Sequence, residues 1–204
     1  MMNGGGQALQ SENSFRTAVD TATRAETDKD RNGHLWYVAL SGLRRAELAG
    51  LKWDDIDLAA GTVVENEPKT LSSRRTLPLD EGLVAVLRRA SARYAQERLA
   101  LGAAHADSGY VAVNEAGEPY TPDTLTRTWC KVAQAAGVRP IRLHDARHSC
   151  GTALHLPGVP LAVIAKWLGH ADAATTARIY ADFQDAQLIE AGKSLGGVVS
   201  SSCH

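Results

Sequence analysis

Apolar residues recur at helical spacing over most of the chain, in segments bounded by residues that begin or end helices. Asp80 and Thr121 stand at capping positions, Pro160 suits a first helical turn, and Gly169 suits a helix end. These boundaries predict a mainly helical globule. We expect helices over residues 14–27, 80–101, 121–137, 144–157 and 160–169, two helical pieces that meet near Gly42, and another helix after Asp172.

Two short runs break the helical pattern, at residues 61–65 and 75–79, and both are rich in strand-forming residues. The polar segment between them predicts a β-hairpin with Lys69 near its tip, and Pro78 suits an edge or strand end. Residues 110–113 suggest a further short strand. The predicted fold class is therefore mainly α with a small antiparallel β-hairpin or sheet, an α+β domain.

Size and composition favour one soluble domain. The chain has 204 residues, of which 44% are hydrophobic and 5% aromatic. No apolar run approaches the ~20 residues that cross a bilayer, and residues 1–14 carry no signal-peptide core. Cys130, Cys150 and Cys203 have no metal-ligand spacing, and their odd number argues against a disulfide framework. We expect reduced thiols, a cytoplasmic location and no membrane attachment.

Charge is distributed unevenly along the chain. The formal net charge of −1 does not by itself predict a nucleic-acid partner. Basic residues concentrate in residues 44–52, 69–75 and 139–147, whereas acidic residues lie mostly elsewhere, so one face of a neutral protein would be basic. Solvated surface charge remains the alternative explanation for any one of these clusters.

Two histidines lie four residues apart, at His144 and His148, and would share one face of a helix. Metalloprotease helices present zinc ligands with this spacing. Here no Glu follows the first histidine to act as a base, and Arg147 between them would repel a divalent cation. A metal-dependent hydrolase therefore stays only as a minor alternative, and we expect no metal site.

A phosphodiester is a better match for the same residues. The guanidiniums of Arg44 and Arg147 would offer forked donors to its non-bridging oxygens and stabilise the charge that builds in the transition state. Lys69 and the histidines would supply protons, and Tyr180 an oxygen nucleophile. A phenol with a pKa of ~10 needs neighbouring cations or a base for that role. No cofactor is required.

Taken singly, each of these residues has an ordinary explanation. Arg44 suits a surface arginine, Lys69 a loop lysine, and His170 a helix C-terminal cap. Their joint occurrence is what favours a site. We interpret Arg45 as a solvent-facing neighbour, His148 as a structural histidine, and the tyrosines other than Tyr180 as packing residues.

Five motifs in order resemble those of the tyrosine recombinases, or phage integrases. They are Ser41-Gly42-Leu43-Arg44-Arg45-Ala46-Glu47-Leu48, Pro68-Lys69, Leu143-His144-Asp145-Ala146-Arg147-His148, Leu168-Gly169-His170, and Thr175-Thr176 leading to Tyr180. The resemblance covers about residues 33–183. It implies a catalytic set of Arg44, Lys69, His144, Arg147, His170 and Tyr180.

The resemblance also implies a chemistry. In such enzymes the tyrosine attacks a DNA phosphodiester, forms a 3′-phosphotyrosyl link and frees a 5′-hydroxyl, which the 5′-hydroxyl of another strand later replaces. The bond energy is kept in the covalent link, so no ATP is needed. Lys69 would protonate the leaving 5′-oxygen, His144 would act as general acid or base, and His170 would donate a hydrogen bond to the phosphate.

The implied partners are double-stranded DNA and further copies of the chain, a tetramer in the family. Self-association would use the tail, which has an apolar side at Leu188, Ile189 and Leu195, although packing on its own domain is the alternative. We expect a disordered segment at 1–12, an integrase-like catalytic domain at 13–183, and a helical segment with a flexible tail at 184–204.

Two departures from the family pattern qualify the resemblance. Ala146 stands where a larger apolar residue is common, which would loosen the packing behind Arg147. Only about thirty residues precede the match, so we expect the family's N-terminal DNA-clamping domain to be absent. A remnant that binds DNA without recombining it is therefore the second hypothesis, because many phosphate contacts would be missing.

Overall fold

The computed structural model describes residues 30–64, 75–137, 142–155 and 157–170, together with Val19. Its helices are α1 (Gly33–Leu40), α2 (Arg45–Gly50), α3 (Glu81–Leu101), α4 (Pro122–Ala135), α5 (Leu143–His155) and α6 (Leu161–Leu168), its strands are β1 (Ile56–Asp57), β2 (Thr62–Val64) and β3 (Thr76–Pro78), and its short 3-10 helices are Trp53–Asp55 and Gly102–Ala104. The mainly helical fold with a small antiparallel sheet is confirmed. None of the helices in these ranges is long and apolar enough to cross a membrane.

The predicted helix boundaries follow from local capping chemistry. The Asp80 carboxylate accepts a hydrogen bond from the backbone N–H of Leu83 at 3.0 Å, and α3 begins after it. The Thr121 hydroxyl does the same for α4, accepting from the N–H of Thr124 at 3.2 Å. Gly169 ends α6 in the left-handed conformation. Of the helix expected at 14–27 only Val19 is described, and it is helical. The helix expected after Asp172 lies outside the described residues.

The hairpin prediction is confirmed, but the sheet has one more strand than expected. Its strands pair antiparallel in the order β1-β2-β3, with Val63 opposite Leu77 and both side chains buried. Strand β1 has only two residues, too few to show alternation in the sequence. The strand expected at 110–113 is wrong, because only single bridges form there, Lys52 with Tyr110 and Val113 with Pro119. The hairpin tip with Lys69 lies outside the described residues.

Helix α1 lies at the centre of the core and fixes the loop that follows it. It packs against α3 and α5, and six of its eight residues are buried. The indole rings of Trp36 and Trp129 meet edge to face, 5.5 Å apart, which joins α1 to α4. Ala146 is fully buried in the same core. That its small side chain loosens the packing behind Arg147 stays a prediction.

A buried histidine in α1, His34, makes the stability of this core depend on pH. The ring of His34 is enclosed between Arg93 Nη2, 3.3 Å from its Nδ1, and the carbonyl oxygen of Val111, 3.4 Å from its Nε2. Because a guanidinium only donates, Nδ1 accepts and the proton sits on Nε2. Burial, and next the charge of Arg93, lower the pKa of His34 to about 4. The ring is therefore neutral at pH 7.

We expect His34 to weaken the fold as the pH falls from 6.5 to 4. In that window the histidine is protonated in the unfolded chain but not in the folded one, so the free energy of unfolding falls by up to about 3 kcal/mol relative to its value above pH 6.5. Urea unfolding of the wild-type chain and of His34→Gln at several pH values measures the effect. The wild-type advantage should shrink as the pH falls, and parallel curves would contradict the prediction.

Candidate active site

Arg147 ties the loop after α1 to the end of α6. Its Nη1 donates to the carbonyl oxygen of Gly42 at 2.6 Å, and its Nη2 donates to the carbonyl oxygen of Leu168. Only 4% of the side chain is exposed. The two sequence motifs that contain Gly42 and Leu168 are therefore joined through one guanidinium on a third motif.

Gly42 is required where α1 meets this loop. Its φ of 99° lies in a region that side-chain-bearing residues rarely adopt. A Cβ there would lie 3.1 Å from both Cys150 Sγ and Leu168 Cδ2, so a side chain at this position would push the neighbouring groups of α5 and α6 aside. Beside it, Trp167 Nε1 donates to the carbonyl oxygen of Ser41 at 2.9 Å. These contacts aim the Gly42 carbonyl at Arg147.

Arg44 lies at the N-terminus of α2, with its guanidinium beside that of Arg147. Its Nη1 donates to Glu47 Oε1, its Nη2 to the carbonyl oxygen of Gly169 at 2.7 Å, and its backbone N–H to Glu47 Oε2 at 2.7 Å. Leu168 and Gly169 thus hold two guanidiniums on consecutive carbonyls. The Arg44 side chain remains 40% exposed, so it is the more open of the two.

Glu47 is the anionic centre of this cluster, and sequence reasoning assigned it no role. Its Oε2 lies 2.7 Å from Arg75 Nη2 and 4.0 Å from Arg147 Nη1, in addition to the contacts with Arg44. The carboxylate is nearly buried, at 9% exposure. The signal that was available is the spacing of Glu47 from Arg44, which is that of a capping-box glutamate at the third position of a helix.

Burial and the nearby positive charges set the protonation state of His170. Burial is the largest cause, followed by the charges of Arg147 and Arg44, and together with His148 and Arg75 they lower the pKa of His170 to about 4. The ring is therefore neutral at pH 7. Burial, and then Arg44, lower the pKa of Arg147 to about 10, with Glu47 opposing the shift, so Arg147 stays cationic at pH 7.

The two histidines of α5 are neighbours on the same helix. The rings of His144 and His148 meet edge to face with centroids 5.0 Å apart; His144 is exposed and His148 half-buried. Burial, and next the charge of His144, lower the pKa of His148. Across the described part of the chain, no group of three or more His, Cys, Asp or Glu side chains is placed to hold a metal ion.

The structure therefore brings three of the six expected site residues together: Arg44, Arg147 and His170. His144 lies on the exposed side of α5, one turn before Arg147. Lys69 and Tyr180 lie outside the described residues. Arg45 is solvent-facing, as interpreted, and its Nη1 donates to Asp123 and Thr126 on α4 at 3.3 and 3.2 Å.

The cysteine beside the cluster is an unreactive thiol. Cys150 is buried beneath Gly42, and burial is the main cause that raises the pKa of its thiol to about 11, so it is protonated near neutral pH. Cys130 is a free thiol on the surface.

Sequence comparison finds the same family that the motifs resemble. The profile of the phage integrase family matches residues 11–187. A tyrosine recombinase XerC-like protein of Caldanaerobacter subterraneus subsp. tengcongensis is 31% identical over 202 residues, which cover 83% of this chain and 52% of that protein. The ICEBs1 integrase of Bacillus subtilis is 31% identical over 156 residues, covering 69% of this chain and 42% of the integrase. The chain spans about half the length of the curated relatives it matches.

Solved structures agree on the fold. The crystal structure of XerA recombinase matches with a TM-score of 0.69 at 24% identity, covering 86% of this chain and 61% of that one. XerH bound to a palindromic difH substrate matches with a TM-score of 0.64 at 20% identity, covering 88% and 50%. The chain belongs to the phage integrase family, the tyrosine recombinases. Members of that family are DNA strand-transferring enzymes, and this chain carries their catalytic-domain fold.

Proposed function

We propose that this chain cuts and rejoins double-stranded DNA through a 3′-phosphotyrosyl intermediate, with Arg44, Lys69, His144, Arg147, His170 and Tyr180 as its catalytic residues. The observation that carries the proposal is the pair of guanidiniums, those of Arg44 and Arg147, that donate to the consecutive carbonyls of Leu168 and Gly169. His170 follows this turn directly.

The charge of the cluster suits an anion. Three guanidiniums, those of Arg44, Arg75 and Arg147, surround the single carboxylate of Glu47, which leaves an excess of two positive charges. Like charges this close repel one another, so a phosphate between the two motif arginines relieves the repulsion as it binds. The relief grows as negative charge builds on the phosphate in the transition state.

Donors remain for that phosphate. A guanidinium carries five N–H groups, and the hydrogen bonds of Arg44 to Glu47 and Gly169 occupy two of its side-chain donors. Its exposure of 40% makes the others reachable from solvent. A neutral His170 would add one further N–H donor to a non-bridging oxygen.

The bond changes are those of a phosphoryl transfer. The phenolic oxygen of Tyr180 attacks phosphorus, the bond to the 5′-oxygen breaks, and a proton from Lys69 reaches that oxygen. His144 accepts or returns the tyrosine proton. An incoming 5′-hydroxyl then displaces the phenol and restores the phosphodiester, so the step needs no metal and no cofactor.

The partners follow from the same proposal. The XerH structure shows that recombinase bound to a palindromic difH substrate, and we propose duplex DNA as the substrate of this chain too. Residues 13–183 would form the catalytic domain, and residues 184–204 would mediate self-association on DNA. A cytoplasmic location stays part of the proposal.

The test is covalent capture. The chain is incubated, with EDTA present, with a pool of end-labelled duplexes that carry a nick and randomised sequence around it. The nick lets the short 5′-hydroxyl fragment diffuse away, so the tyrosyl link accumulates as a labelled, denaturant-resistant band. A pool that binds but yields no such band would support the DNA-binding remnant instead, and binding that disappears at moderate salt would support it further.

A further inference from the structure

Arg75 is a buried arginine at the edge of the cluster, directly before β3. Its side chain is 6% exposed, and its Nη2 donates to Glu47 Oε2 at 2.7 Å. Glu47 in turn accepts from both the backbone N–H and the guanidinium of Arg44. Arg75 therefore fixes one of the two groups that hold Arg44.

The same guanidinium also lies against the second group. Gly169 has a φ of 62°, and a Cβ there would overlap Arg75 Nη1 and come within 3.1 Å of its Cζ. The glycine is thus needed for the approach of Arg75 as well as for its own backbone conformation. The Gly169 carbonyl is the other acceptor of Arg44, at 2.7 Å.

Arg75 also affects Arg147, because both guanidiniums lie near the carboxylate of Glu47. Arg75 lies 2.7 Å from Glu47 Oε2, whereas Arg147 lies 4.0 Å from that oxygen and donates instead to the carbonyls of Gly42 and Leu168. Without Arg75, the carboxylate would draw Arg147 towards itself, because opposite charges in a poorly solvated site attract strongly. Arg75 thereby keeps the two motif arginines in separate places.

We infer that Arg75 is a positioning residue of the proposed strand-transfer reaction, which holds Arg44 through Glu47 and Gly169 without touching DNA. This inference rests on the proposed function for the reaction itself. The contacts of the Arg75 guanidinium define its role: its Nη2 donates to Glu47 Oε2, and its Nη1 lies against Gly169. Both of these groups hold Arg44, so Arg75 acts through its neighbours. It also places the strand that follows Lys69 in the sequence against the arginine cluster.

The main test compares Arg75→Lys and Arg75→Met with the wild-type chain. In Arg75→Lys the charge stays, but a single ammonium cannot both donate to Glu47 and lie flat against Gly169. We expect the rate constant of adduct formation on the nicked pool to fall by about 10²-fold in both variants, through misplacement of Arg44. The dissociation constant for the same duplexes, from fluorescence anisotropy, should stay at the wild-type value.

Two controls separate positioning from mere support of the fold. Arg88→Met removes an exposed guanidinium on α3 that donates to the carbonyl of Leu58, and should leave the rate unchanged. Urea unfolding gives the folded fraction of every variant under assay conditions. A slower rate that disappears once it is divided by the folded fraction would overturn the inference, and so would a loss of DNA affinity that matches the loss of rate.

A DNA-free measurement keeps this inference distinct from the proposed function. Burial is the largest cause of the lowered pKa of His170, and the groups that face it, Arg147, Arg44, His148 and Arg75, add to it. In NMR titrations, Arg75→Met should raise the pKa of His170 and shift the Nε resonance of Arg44, whereas Arg75→Lys should shift the Arg44 resonance alone. An unmoved Arg44 resonance in both variants would overturn the positioning role. Absence of adduct in the wild-type chain, with these shifts present, would count against the proposed function only.

Discussion

Replacing Tyr180 by phenylalanine is expected to abolish covalent capture of nicked DNA. The substitution removes one oxygen, the atom that would attack phosphorus, and the other proposed catalytic residues stay in place. The adduct should fall below detection on the denaturing gel. Affinity for the same duplexes should persist, because phosphate contacts by arginines and lysines carry most of the binding free energy.

Tyr110→Phe is the matched control. The ring of Tyr110 lies under Lys52, with the ammonium 5.3 Å from the ring centroid, and phenylalanine keeps that ring. This variant should form the adduct at the wild-type rate. An adduct that survives in Tyr180→Phe, or that disappears in Tyr110→Phe, would show that the nucleophile has been assigned wrongly.

Arg147→Lys is expected to reduce both cleavage and stability although the charge is kept. Arg147 reaches the carbonyls of Gly42 and Leu168 with two separate nitrogens, and the single nitrogen of a lysine does not span both, so one buried carbonyl loses its partner. That loss should lower the free energy of unfolding by about 1–3 kcal/mol. Adduct formation should slow by about 10²–10³-fold, the usual effect of removing one donor that stabilises a transition-state oxyanion.

Arg127→Lys provides the comparison for the same substitution at an exposed position. Arg127 lies on α4, and its Nη2 approaches Thr124 Oγ1 at 3.4 Å. Stability and adduct formation should both match the wild-type chain. If Arg147→Lys cleaved as fast as this control, the joining of the two motifs through Arg147 would not matter for the chemistry.

The helices could be predicted from the sequence because their boundaries depend on neighbouring residues. Asp80 and Thr121 each satisfy an N–H three residues ahead, and Gly169 ends a helix through its own backbone. The hairpin pairing could also be predicted locally, because its two strands are neighbours in the sequence. Strand β1 was missed because two residues carry no period, and the strand expected at 110–113 failed because its residues find only single bridges.

The motifs pointed to three residues that the structure brings together, Arg44, Arg147 and His170, but not to the arginine that supports them. Glu47 had a local signal in its spacing from Arg44, whereas Arg75 meets Glu47 across 28 residues. A charge cluster of this kind depends on where the β3 strand meets the end of α6. No local pattern at Arg75 specifies that meeting, so its sequence context predicts only a basic residue beside a strand.

The end of α6 has a consequence for how the site can fail. The N–H of His170 bonds to the carbonyl of Ala165 at 2.9 Å, which closes the last turn and leaves the carbonyls of Leu168 and Gly169 directed at the two arginines. Fraying of this single turn would remove one acceptor from each of Arg44 and Arg147 and would displace His170 in one event, while Glu47 and Gly42 would still hold the two arginines. A partner that orders or frays this turn would therefore change all three side chains of the proposed site together.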